Sequence, residues 1–131
     1  MADNNKNIEI LIEELINLTK ENKINWKYTD DNKEISAKQR KILLDYDFIF
    51  NATDNCFYTK INSGYIIVIE GIGEPAKNYL IVIPSIDAKD FKIYDSPQSQ
   101  IVRLHTLILR QFPNVEDYLT DVFKTLKTMS T

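Results

Sequence analysis

Few side chains in this 131-residue sequence could take part in chemistry, and the single histidine is the first of them. Histidine is the only type of side chain whose unperturbed pKa lies near neutrality, so His105 is the natural candidate for acid–base work. It shares a helical face with Ile101, Leu104 and Ile108, which favours a packed structural histidine over a catalytic one. The alternative is that His105 and Tyr94 bind a small ligand in a pocket between the sheet and the C-terminal helices.

The single cysteine, Cys56, follows Asp54 and Asn55 in a predicted turn. It cannot form an internal disulfide, and one histidine is too few companions for a zinc cluster. A nucleophilic thiolate would need a nearby base or an electropositive pocket, and His105 is the only histidine base. No glycine-flanked elbow supports such a pair, so we predict a structural cysteine.

Two acidic residues, Asp45 and Asp47, would lie about 7 Å apart on one face of a strand. That spacing could hold a divalent cation or divide acid and base roles. Acidic residues on the solvent face of a half-buried strand have the same spacing and discourage edge-to-edge aggregation. We favour the solvent face and keep a metal-dependent enzyme as an alternative.

A glycine-containing segment, Gly71-Ile72-Gly73-Glu74-Pro75, follows a predicted strand, as phosphate-binding loops do. It lacks the third glycine, the lysine and the following helix that give such loops their donors. We therefore predict a plain loop, and no cofactor or metal site.

Four aromatic residues, Tyr46, Phe48, Phe50 and Tyr58, lie close together in the sequence. If exposed, they would form an anchor-rich surface for a protein partner. The alternative is that the terminal helices bury them.

The elements that would position these residues begin with an amphipathic helix of about four turns. Its apolar residues recur at helical spacing, and a short alternating strand from Ile24 to Tyr28 follows. The helix face comprises Ile8, Leu11, Ile12, Leu15 and Ile16.

The segment 33–56 is ambiguous between helix and strand. Ile35, Gln39, Ile42 and Leu43 fit a helix, but aromatic residues alternate with polar ones further on. Because aromatic side chains suit a pleated surface, we expect a short helix or turn and then a strand over 42–51.

The remaining pattern predicts a β-meander and two helices. Apolar runs at 57–61, 65–72, 79–83 and 92–94 are separated by turn residues, and Ser96-Pro97 is typical of a helix start. Helices are expected over 97–111 and from Val115 to Leu126. The sequence predicts one α+β domain over 1–131, with an N-terminal helix, an antiparallel meander of about five strands, and two C-terminal helices packed on one face.

Composition restricts the class of protein further. Hydrophobic residues make up 44% and charged residues 27%, as in ordinary globular domains. No apolar run reaches the roughly 18 residues of a membrane span, and the first residues do not resemble a signal peptide. The net charge of −3 without a basic stripe disfavours nucleic acid. We therefore expect a cytoplasmic protein that binds neither membrane nor nucleic acid.

The segment from Leu15 to Trp26 resembles an "LL..T..G.I.W" pattern found in small stand-alone bacterial proteins of uncharacterised function. These proteins have the order helix, tryptophan-containing strand, tyrosine-rich meander and closing helices. The resemblance implies a bacterial, cytoplasmic protein associated with mobile elements or defence. It carries no catalytic residues over to this chain.

These observations favour a non-enzymatic interaction or regulatory module of the adaptor or immunity type. It would bind a protein through its sheet edge or the aromatic surface, and self-association remains open. The alternatives are a small-ligand sensor using His105 and Tyr94, and a metal-dependent enzyme using Asp45 and Asp47.

Overall fold

The computed structural model describes residues 2–45, 55–71, 78–95, 99–112 and 115–130. Within these residues the chain forms four α-helices and a five-stranded antiparallel sheet, which confirms the predicted α+β class. A 3-10 turn, Thr29–Asp31, precedes the second helix. In chain order the elements are α1 Ala2–Lys20, β1 Lys27–Tyr28, α2 Lys33–Asp45, β2 Phe57–Ile61, β3 Gly64–Glu70, β4 Asn78–Ile83, β5 Lys92–Asp95, α3 Ser99–Leu109 and α4 Val115–Met129.

The sheet is a meander whose spatial order equals its chain order, with every neighbouring pair antiparallel. The β2–β3 hairpin turns through Asn62 and Ser63, where Asn62 has a φ of 56°. Asparagine tolerates this left-handed conformation better than most residues. The first residue of β3, Gly64, has to be glycine, because a Cβ atom there would lie only 2.5 Å from the carbonyl oxygen of Ile83.

The central strands are apolar on both faces, as the uninterrupted apolar runs in the sequence predict for interior strands. In β3, Ile66 and Val68 join one buried cluster, whereas Ile67 and Ile69 join another on the opposite face. Because side chains alternate along a strand, the sheet requires an apolar cover on each side.

Helices supply both covers. On one face, α1 and α3 pack together and bury a stripe from each helix against the sheet. On the other face, α2 contributes Ile35 and Ile42. The described core therefore has three layers, with the sheet in the middle. The helix residues of the first layer are Ile8, Ile12, Leu15, Ile16, Ile101, Leu104 and Ile108.

The strand expected over 42–51 is wrong at residues 42–45, which belong to α2. Ile35, Gln39 and Ile42 are all buried, and their spacing places them on one helical face. Asn32 begins this helix, since its side-chain oxygen accepts hydrogen bonds from the backbone N–H groups of Glu34 and Ile35 at 3.0 and 3.2 Å. Residues 46–51 lie outside the described residues.

The end of α1 is joined to the sheet by a buried polar chain. Asn22, with a φ of 58°, ends the helix, and the backbone N–H of Lys23 donates a hydrogen bond to the carbonyl oxygen of Leu18. The indole Nε1 of Trp26 then donates to the Thr19 hydroxyl at 3.0 Å, and that hydroxyl donates to the Leu15 carbonyl. The predicted strand is present only as the two residues of β1.

The two C-terminal helices differ in how they meet the domain. The sequence predicts that both helices pack on one face of the sheet. The first of them, α3, packs on that face against α1, β3 and β4. By contrast, α4 has no buried residue.

The Trp26–Thr19 bond gives a stability prediction. Replacing Thr19 with valine leaves the buried indole N–H without its acceptor, so we expect the free energy of unfolding to fall by about 1–3 kcal/mol. Urea titration measures the loss. Thr106→Val is the matched control, because the Thr106 hydroxyl makes the same bond to a carbonyl four residues back at an exposed position. The control should cost less than about 0.5 kcal/mol, and equal losses would contradict the assignment.

Candidate functional site

The histidine is held inside the domain. His105 is 2% exposed, and its Nε2 lies 2.8 Å from the Asn55 carbonyl oxygen, which identifies Nε2 as the protonated donor. Its Nδ1 lies 3.6 Å from a carboxylate oxygen of Glu70, and its ring contacts Phe57. These contacts connect α3 to the residues before β2 and to the end of β3. His105 thus makes the structural contacts that its apolar helical face predicts.

Cys56 is also buried, and it belongs to the cluster on the α2 side of the sheet. Burial raises the pKa of its thiol from 9.0 to about 11, although hydrogen bonds from the Glu70 backbone and the Gln39 side chain act in the opposite direction. A thiol with this pKa carries almost no thiolate near neutral pH. The geometry favours a structural thiol over a nucleophile.

The acidic pair is only half described. Asp45 is the last residue of α2, not of a strand, and Asp47 lies outside the described residues. The part of the chain that the structure describes contains no cluster of three or more histidine, cysteine, aspartate or glutamate residues suited to a metal ion. In the glycine-containing segment, Gly71 follows β3 and is buried, and residues 72–77 lie outside the described residues.

The aromatic surface is likewise represented by one member. Tyr58 is 8% exposed and packs in the α2-side cluster, where its hydroxyl accepts a hydrogen bond from Asn32 at 3.4 Å. Tyr46, Phe48 and Phe50 lie outside the described residues. Tyr94, the other ligand-binding candidate, is half-buried and packs against the α1–α3 cluster. Tyr58 and Tyr94 thus contribute mainly to the core.

Described residues line two shallow surface grooves. The first, of about 290 Å³, runs along α1 and α3, and its cations include Lys20, Arg103 and Arg110. Arg103 faces Glu13 at 3.4 Å, while Lys20 and Arg110 lie where the two helices end and their dipoles favour positive charge. The fold therefore gives Arg103 a carboxylate partner and places Lys20 and Arg110 beside helix C-termini.

The second groove, of about 370 Å³, lies between α2 and the loop after β4. Lys38 spans it by donating to the Ala88 carbonyl. Lys41 and Lys89 are exposed on its rim beside Asp87. The groove joins α2 to this loop and offers no buried polar group to a ligand.

The most distinctive surface belongs to α4. Its apolar side chains recur every three or four residues over 15 residues and form one stripe, which we call the α4 stripe. Tyr118 is 63% exposed, Phe123 66% and Met129 75%, and Val122 is half-buried. The α4 stripe consists of Val115, Tyr118, Leu119, Val122, Phe123, Leu126 and Met129.

The sequence predicts α4 and its stripe, but not its exposure. The same spacing in α1 and α3 leads to burial, so periodicity alone does not distinguish a packed helix from an exposed one. The exposure of α4 follows instead from the sheet, because α1, α2 and α3 already cover both of its faces and leave no apolar face for a fourth helix.

Comparison with known protein families, curated proteins and solved structures found no match to this chain. The helices in the described part of the chain fall short of the combined length and apolarity of a membrane span.

The raised pKa of Cys56 predicts a stability change at alkaline pH. The unfolded thiol has its ordinary pKa of 9.0, so the unfolded chain loses this proton before the folded chain does. The thiol contribution is therefore fully present below pH 9 and is lost between pH 9 and 11, by about 2–3 kcal/mol.

Urea unfolding of the native chain and of Cys56→Ala at pH 8 and pH 11 isolates this contribution. All other ionisable groups are common to the two proteins, so their effects cancel in the comparison. The native chain should lose about 2–3 kcal/mol more than the variant between the two pH values. An equal loss in both proteins would contradict a buried, protonated thiol.

Proposed function

We propose that this protein is a non-catalytic interaction module that binds a protein partner through the α4 stripe. The observation that carries the proposal is the exposure of a complete amphipathic helix that has no buried residue. This surface replaces the sheet edge and the 42–58 aromatic segment as the leading docking site.

The residue content of α4 supports the need for a partner. Isolated helices of about 12–15 residues are marginal in water even when rich in alanine. The 15 residues of α4 contain β-branched and aromatic residues at seven positions, and these types are weaker helix formers than alanine, leucine or lysine. The stability of α4 must therefore come from packing its apolar stripe. The seven residues are Val115, Tyr118, Thr120, Val122, Phe123, Thr125 and Thr128.

The composition of the α4 stripe suits protein recognition. Tyr118 and Phe123 are large, rigid anchors of the kind that dominate interface energetics. Leu126 and Met129 extend the apolar surface, and methionine adapts to the shape of a partner. From their exposed fractions, and about 150–250 Å² for a large side chain, the exposed members present on the order of 550–900 Å². A contiguous apolar patch of this size on a monomer is often functional.

The contrast with the chemistry-bearing residues favours binding over catalysis. His105 and Cys56 are buried and make contacts within the core. An interaction module needs neither a reactive thiol nor an accessible histidine, whereas it does need an exposed set of apolar anchors.

Site-specific photo-crosslinking tests the proposal. Benzoylphenylalanine replaces Phe123 in the full chain, in cells that express it, and Lys124 is the matched control because it lies on the opposite side of the helix. We expect a discrete crosslinked protein from position 123 and none from position 124. No product at position 123, or equal products at both positions, would overturn the proposal.

A further inference from the structure

We infer that the partner of the α4 stripe is the α4 stripe of a second copy of this chain, packed antiparallel across a two-fold axis. This inference rests on the proposed function and names its partner. It follows from the placement of charge along α4, from the symmetry of the stripe and from its size.

Charge is divided along α4 by sign. The acidic residues Glu116, Asp117 and Asp121 lie in its first half, and Lys124 and Lys127 lie in its second half. Glu116 and Lys127 border the α4 stripe, whereas Lys124 faces away from it, so two such helices packed antiparallel place Glu116 of each at the level of Lys127 of the other. Parallel packing would place like charges at the same level.

The charged residues on the two flanks of the α4 stripe distinguish antiparallel from parallel packing. Glu116 and Lys127 are 11 residues apart, about three helical turns, so they lie on the same flank of the α4 stripe. In an antiparallel pair, equivalent flanks meet, and Glu116 of one copy faces Lys127 of the other, twice. In a parallel pair, that flank would meet the opposite one, which places Glu116 near Asp117 and Asp121. The two Glu116–Lys127 contacts therefore favour the antiparallel arrangement, and they outweigh the single approach of Asp121 to its own copy on the other flank near the axis.

One two-fold axis serves both the charges and the apolar residues. The Glu116–Lys127 pair is centred between Asp121 and Val122, and the stripe from Val115 to Met129 is centred at Val122. An isologous interface requires this kind of self-complementarity, in which one surface patch pairs with its own copy. Opposed helix dipoles also favour the antiparallel orientation.

The size of the stripe sets the strength of the association. With on the order of 550–900 Å² from each copy, the pair would bury on the order of 1,100–1,800 Å² in total. Specific interfaces begin at about 1,200 Å² and obligate homodimers bury about 2,000 Å² or more, so a dissociation constant in the micromolar range is expected rather than a permanent dimer.

A lipid surface fits α4 less well than a second copy does. Helices that lie on anionic membranes carry an excess of lysine and arginine on their polar face. Here three acidic residues outnumber two lysines, which gives α4 a net charge of −1.

Sedimentation equilibrium of the full chain, from about 1 to 500 µM, tests the inference through charge reversal. The native chain should show a reversible monomer–dimer equilibrium. Glu116→Lys and Lys127→Glu should each raise the dissociation constant about 3- to 30-fold, because each single change creates two like-charge contacts per dimer. The double variant restores opposite charges, so its dissociation constant should return to within about 3-fold of the native value.

Lys124→Glu is the matched control, because Lys124 lies on the opposite side of α4 from the stripe. It makes the same charge change as Lys127→Glu and should leave the dissociation constant within about 2-fold of the native value. Circular dichroism of each variant at the lowest concentration checks that the helices are retained.

The inference is overturned if the native chain stays monomeric throughout, or if the double variant associates no better than the single variants. Its failure is distinguishable from failure of the proposed function. Crosslinking from position 123 to a different protein, with a monomeric native chain, would retain the interaction module and exclude self-association. Absence of any crosslink would remove both.

Discussion

The central strands of the sheet are apolar on both faces, and this property determines where the helices must pack. In β3, four consecutive residues from Ile66 to Ile69 are buried, and alternate side chains enter opposite clusters. Such a strand is stable only between two apolar layers. The chain provides α1 and α3 for one layer and α2 for the other. The fold is therefore a sheet enclosed by helices rather than a sheet with one open face.

This constraint also explains α4. Once both faces are covered, the described sheet has no remaining apolar face for a fourth amphipathic helix. The stripe of α4 is as regular as those of α1 and α3, yet all its large apolar members except Val122 are exposed. The α4 stripe is therefore expected to pack against another molecule, and the separation of acidic from basic residues along the helix favours the α4 helix of a second copy as its partner. The interaction that we propose thus follows from the core, in which three helices cover both faces of the sheet and leave the stripe of the fourth exposed.

Much of this fold could be predicted from local patterns. The helical spacing in α1, the Asn62–Ser63 turn and the apolar runs of β3 and β4 are signals that tertiary structure did not override. The segment from Lys33 to Asp45 was harder, because the aromatic alternation after Leu44 competes with the helical spacing of Ile35, Gln39 and Ile42. The Asn32 cap resolves it, since its side chain satisfies two N–H groups at the helix start.

The candidate site was less predictable than the fold. The burial of His105 follows from its apolar neighbours, whereas its contacts with Asn55 and Glu70 join residues far apart in the sequence. The burial of Tyr58 depends on α2, whose extent the sequence left ambiguous. The exposure of α4 depends on the number of layers, which is a property of the whole domain.

Hydrogen exchange of the full chain at a low and a high protein concentration distinguishes the enclosed core from a helix that is covered only on association. Amides of β3, β4 and α3 should be strongly protected at both concentrations, because they belong to the enclosed core. Amides of α4 should exchange rapidly in dilute solution and become protected as concentration rises. Protection of α4 equal to that of the sheet, and independent of concentration, would contradict a helix whose stripe is covered only by a second copy.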